Sequence, residues 1–185
     1  MSTKIRNTFI ENGFVTISEI LTHQESQLLK AESHALINAT KRKAPETGQN
    51  AKDVVGFSTQ SQLFRNTAQN EKILDVLQVI MSPNIEFLSD KAIFKNPQIG
   101  FESPWHQDWH SWHGSHKISV WIALDDTTID NGCIKLLPSS HKSAIMHNGE
   151  ANDGYGFGHR LQPDAVDESK SITAEISAGS GVFFS

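Results

Sequence analysis

A chain of 185 residues with 37% hydrophobic and 20% charged residues can bury a real core as one domain and is not a disordered polymer. Its net charge of −5 argues against nucleic acid or an anionic membrane as partner. A single cysteine, Cys133, excludes an internal disulfide and a Cys-rich zinc site, and suits a reducing compartment.

The opening Met1-Ser2-Thr3-Lys4-Ile5-Arg6 has no apolar stretch of the kind a signal peptide needs. The longest apolar runs, such as Val120–Leu124, are too short to span a bilayer. A cytoplasmic location is expected.

Residues 3–12 suit a short helix, and Phe14-Val15 with Ile17 a short strand. Thr22-x-x-Glu25 reads as a capping box opening a helix whose apolar positions are Leu28, Leu29, Ala31, Ala35, Leu36 and Ile37. That helix should fade at Lys41-Arg42-Lys43, before a polar loop over 41–53. Ile73, Val76, Leu77 and Ile80 mark a second amphipathic helix, ending before Pro83.

Beyond Pro83 the pattern turns to strands. Ile85–Leu88 and Ala92–Phe94 are candidates, and Ile118, Val120, Ile122 and Leu124 alternate with period two. Asn131-Gly132 signals a turn into a strand at Cys133–Leu137. Residues 146–168, rich in Gly, Asn, Asp and His, read as a long loop, and Ile172–Ile176 and Val182–Phe184 as final strands. Helices first and strands afterwards predict an α+β chain whose body is a β-sandwich or barrel.

Histidine and tryptophan are distributed unevenly. Four of the nine histidines (His106, His110, His113, His116) and all four tryptophans fall between Trp105 and Trp121, which places any chemistry there. Within Pro104-Trp105-His106-Gln107-Asp108, an imidazole and a carboxylate stand two positions apart. On a strand they would share a face, with Cα atoms roughly 6–7 Å apart, and could converge on one metal ion. Two histidines and a carboxylate on one side of an octahedral ion leave three open positions, the arrangement of non-haem iron oxygenases. His110 is a poor second histidine, because on a straight strand it would lie roughly 13 Å from His106 with Asp108 between them.

Linked motifs give the pair its context. Pro104-Trp105-His106-Gln107-Asp108, Ser119-Val120-Trp121-Ile122-Ala123-Leu124-Asp125-Asp126, Asn131-Gly132-Cys133-Ile134 and Leu137-Pro138-Ser139-Ser140-His141-Lys142 resemble the phytanoyl-CoA dioxygenase family in order and spacing. The opening Phe9-x-x-x-Gly13-Phe14-Val15 is similar to that family's usual start. The resemblance implies a mainly β fold with N-terminal helices, a double-stranded β-helix (jelly roll) forming a single domain over 1–185. It implies Fe(II) held by His106 and Asp108, with 2-oxoglutarate as cosubstrate and Lys91, Gln107 and Trp121 as residues that touch it. A small organic substrate would be hydroxylated by molecular oxygen, with release of succinate and CO2. Asp108 points to hydroxylation over halogenation, since halogenating relatives usually carry a small residue there. The plainer alternatives are barrel core for Trp121 and a solvated strand edge for Lys91.

The chain departs from the family pattern at its end. Ala178-Gly179-Ser180-Gly181-Val182-Phe183-Phe184-Ser185 matches the approach to the third ligand, but the expected histidine and the 2-oxoglutarate-binding arginine are absent. The domain is therefore expected to be incomplete, its final strands missing. His141, His147 and His159 are read as turn or exposed residues, not ligands. Competing readings are a catalytically inactive relative that binds a ligand or partner, and a cupin-like metal protein of other chemistry.

Overall fold

A computed structural model of the chain describes residues 2–41, 53–94, 103–108, 116–147 and 160–185. Helix α1 (Ser2–Asn12) leads into β1 (Phe14–Ile17). The turn between them is made by Gly13, with φ of 84°, whose N–H closes the helix onto Phe9 O at 2.7 Å.

The capping box at Thr22 forms as expected. Glu25 Oε2 accepts from Thr22 N–H at 2.7 Å, and Thr22 Oγ1 accepts from Glu25 N–H at 3.2 Å. It opens α2 (His23–Lys41), whose buried face differs from the expected one. Leu29 is buried as predicted, but Leu28, Ala31 and Ala35 are exposed, and the serines Ser26 and Ser33 are fully buried instead. Their hydroxyls donate to Thr22 O and Leu29 O, so burial leaves no donor unmatched. At Ser26 a small side chain suits the close turn at Gly179: a Cβ on that glycine would stand 3.3 Å from Ser26 Oγ.

The next elements are β2 (Asp53–Val55), α3 (Phe57–Gln60), α4 (Gln62–Ala68) and α5 (Glu71–Ile80). Helix α5 is the predicted amphipathic one, with Ile73, Val76 and Leu77 buried. The two short helices and β2 were not expected. Asp90 supports α3 by accepting from Ser58 N–H at 3.0 Å and Ser58 Oγ at 2.8 Å.

Strand β3 (Lys91–Ile93) pairs antiparallel with β2. Ile85–Leu88 forms no strand. Among the described residues no ladder lies beside it, and Phe87 and Leu88 are exposed. Beyond it come β4 (Ser119–Ile122), β5 (Lys135–Leu136), β6 (Ile172–Thr173) and β7 (Gly181–Phe184). Strands β5 and β6 are shorter than the runs that predicted them. Single bonds extend their pairing, such as Ala174 N–H to Ile134 O at 2.9 Å.

The main sheet has the order β1-β7-β4, all antiparallel. Its register fixes two faces. Val15, Phe183 and Val120 are cross-strand neighbours, as are Thr16, Val182 and Trp121. The first set packs with Phe9, Leu29, Ile73 and Leu77 in one core between the sheet and α1, α2 and α5. The second set faces away from the helices. Helices and small sheets thus combine as an α+β chain.

Candidate functional site

The site lies beside that second face. Ser119 and Trp121 alternate with the core-facing Val120, so they share one side of β4. Ser119 Oγ donates to Asp108 Oδ2 at 2.8 Å. The other carboxylate oxygen, Asp108 Oδ1, stands 3.2 Å from His106 Nε2. Sequence reasoning paired these two residues, and the structure brings them together.

The segment that carries them, 103–108, belongs to no strand of the described sheets, contrary to the expected metal-bearing strand. Its backbone is held by isolated bonds instead: Leu161 N–H to Trp105 O, and Gln107 N–H to His147 Nε2 at 2.8 Å.

The donor set fits a divalent metal in two respects. Donors bound at ~2.1 Å on adjacent octahedral positions stand about 3 Å apart, close to the observed His106–Asp108 separation. The remaining atoms of each side chain are already engaged. His106 Nδ1 is 2.8 Å from Pro104 O, which holds the proton on Nδ1 and leaves Nε2 as the donor. Ser119 occupies Asp108 Oδ2 and leaves Oδ1 facing His106. Among the described residues, no cluster of three or more His, Cys, Asp or Glu side chains converges at metal-binding range.

In the metal-free arrangement the pair shares a proton. The hydrogen bond to Asp108 raises the His106 pKa above its ordinary 6.5, against the opposing effect of burial. For Asp108, burial is the largest single influence and acts upward. The hydrogen bonds from His106 and Ser119 and the charges of His106 and Lys91 outweigh it, so the net shift is downward.

Lys91, on β3, is near enough for its charge to act on both groups, favouring the carboxylate and disfavouring the imidazolium. Gln107, expected to touch the cosubstrate, bonds through its side chain to the protein. Its Nε2 donates to Ser140 O and Ser143 O, and its Oε1 accepts from Ile145 N–H at 2.8 Å. Those bonds turn its amide into the 140–145 segment.

Trp109, His110, Trp112, His113 and His159 lie outside the described residues, and His116 is exposed. His141 is a turn residue, as expected: its Nε2 is 3.1 Å from Ile10 O at the end of α1. Arg65 is tied to Ser58 O and Gln62 Oε1. Ser119 and His147 were missed. Ser119 was legible in principle, standing two positions before Trp121 on an alternating strand. His147 offered no comparable signal.

Comparison with known proteins decides the family. Residues 9–185 match the family described as phytanoyl-CoA dioxygenase (PhyH). The chain belongs to the phytanoyl-CoA dioxygenase family. Iron(II) and 2-oxoglutarate are the metal and cosubstrate of that family.

Among its relatives is the ectoine dioxygenase of Streptomyces anulatus, 24% identical over 176 residues, which cover 88% of this chain and 59% of the relative. This phytanoyl-CoA dioxygenase family member therefore spans about three-fifths of that relative's length. Among solved structures, the apo non-haem monooxygenase ThoJ superposes with a TM-score of 0.77 at 23% identity, over 97% of this chain and 67% of that one. A Micromonospora carbonacea var. aurantiaca protein complexed with 2-oxoglutarate gives a TM-score of 0.72 at 21% identity, over 98% and 79%. These likenesses establish a shared fold.

Proposed function

We propose that the chain forms a jelly-roll domain of an Fe(II)/2-oxoglutarate-dependent dioxygenase that hydroxylates a small organic substrate in the cytoplasm. The observation that carries this reading is the 3.2 Å approach of His106 Nε2 to Asp108 Oδ1, with the outer atoms of both side chains already engaged. When bound, iron(II) with 2-oxoglutarate and oxygen supplies an oxidative decarboxylation that yields succinate and CO2 and oxidises the substrate.

The chain's own residues prepare for that chemistry. His106 gives up the proton it shares with Asp108 and offers Nε2 to the metal. Asp108 offers Oδ1 and one negative charge. Lys91 places a cation beside the pair, suited to a dianionic cosubstrate. Trp121 supplies an apolar wall on the strand that holds Asp108, which limits water there. Gln107 ties the segment between the two donors to residues 140–145.

The test is succinate release by the intact protein supplied with Fe(II), 2-oxoglutarate and oxygen, beside His106→Ala and Asp108→Ala. Release that depends on both residues is the expected result. Equal release, or none from any form, removes the reading.

A second reading is a catalytically inactive relative that binds a ligand or partner. It is favoured by the convergence of only two candidate donors among the described residues. It predicts 2-oxoglutarate or substrate binding with no turnover by the intact protein.

A further inference from the structure

The peptide N–H between the two metal donors has an unusual acceptor. Gln107 N–H donates to the imidazole Nε2 of His147, 40 residues away, at 2.8 Å. His147 Nδ1 lies 2.9 Å from Ile145 O. One ring nitrogen accepts, so the other carries the proton and donates, which is the neutral imidazole.

The Gln107 side chain enters the same segment through its bonds to Ser140 O, Ser143 O and Ile145 N–H. That segment is itself fixed to α1. Ser139 N–H donates to Asn12 O at 2.9 Å, Ser139 Oγ donates to Glu11 O at 2.8 Å, and His141 Nε2 reaches Ile10 O. Residues 139–147 thus form a seat, anchored on a helix end at one side and gripping Gln107 at the other.

We infer that His147 is a positioning residue for the metal site. By accepting the Gln107 N–H, it fixes the backbone between His106 and Asp108 and so sets the separation of their donor atoms. The inference rests on the reading of His106 and Asp108 as metal donors. The side chain of Gln107 does not hold the 106–107 peptide plane, whereas the bond from Gln107 N–H to His147 restrains that plane directly. Donor atoms must be held to within about 0.5 Å to bind productively. Loss of comparable outer partners typically weakens metal binding by about 10–100-fold.

Two measurements on the purified protein test this. The first is Co(II) affinity by titration of the natural protein, His147→Ala and His147→Gln. The second is hydrogen exchange of the Gln107 amide in the metal-free state. Glutamine places an amide oxygen near the position of Nε2 and so keeps an acceptor.

His147→Ala should bind Co(II) at least about tenfold more weakly and expose the Gln107 amide, and His147→Gln should restore most of both. A purely structural role would lower the melting temperature of both variants without this split. Unchanged affinity in His147→Ala, or a Gln107 amide that exchanges quickly in the natural protein, overturns the inference and leaves the proposed function standing. Absence of Co(II) binding by the natural protein overturns both.

Discussion

Ser119 and Asp108 join the sheet to the site: the serine hydroxyl on β4 donates to the aspartate carboxylate at 2.8 Å, leaving the second oxygen to face His106. The hydroxyl both orients the carboxylate and stabilises its charge. Ser119→Ala should raise the Asp108 pKa and weaken Co(II) binding by roughly tenfold, and Ser119→Thr should recover most of the affinity. Titration of the three forms checks this. Equal affinity for alanine and serine would show that β4 does not set the carboxylate.

Gly179 tests how closely the turn before β7 approaches the backbone at Leu21, just ahead of α2. It has φ of 85°, and a Cβ there would stand 2.3 Å from the backbone oxygen of Leu21. Gly56, at φ 81°, would meet nothing nearer than Thr59 at 3.8 Å. Both glycines relieve a left-handed backbone, but the first also avoids a collision with an atom that cannot rotate away. Gly56→Ala should cost about 1–2 kcal/mol in urea denaturation, and Gly179→Ala roughly 2–4 kcal/mol.

What was legible in the sequence was whatever depends on near neighbours or strict periodicity. The Thr22–Glu25 box closes over three residues, α5 repeats its apolar positions with helical spacing, and β4 alternates cleanly. His106 and Asp108 were legible because two positions suffice to bring them together. Failures arose where a partner lies far along the chain. Ile85–Leu88 has strand-like residues, but no ladder beside it among the described residues. Helix α3 is four residues long and leans on Asp90, 32 positions from Ser58. The buried serines of α2 read as polar until their hydroxyls are seen bonded one turn back. His147 looked like a loop residue because the N–H it accepts belongs to Gln107.

Substitution of Lys91 tests whether cosubstrate binding can be separated from turnover. The Lys91 charge acts on both His106 and Asp108, and an anionic cosubstrate bound beside them would gain from it. Lys91→Met should raise the KM for 2-oxoglutarate roughly tenfold, equivalent to about 1.4 kcal/mol, with kcat nearly unchanged. Steady-state kinetics of succinate release by the intact protein measure both constants. An unmoved KM would make Lys91 a solvated strand-edge residue.

The His106–Asp108 pair predicts opposite pH responses with and without metal. The histidine pKa is raised above 6.5 in the folded protein, so its stabilising effect is complete below that value and is lost as pH rises through the folded pKa. The aspartate pKa is lowered below 3.8, so its contribution is present above that value and lost as pH falls through the folded pKa. Metal-free protein should therefore gain most from the pair between about pH 4 and 6.5. A metal held by this pair would displace the shared proton, so Co(II) affinity should rise with pH until the raised His106 pKa is passed. Melting temperature against pH, taken with a chelator and with excess Co(II), should give curves that diverge as pH increases through neutrality. His106→Gln should flatten the divergence. Parallel curves would mean that the metal does not compete for the proton between these two side chains.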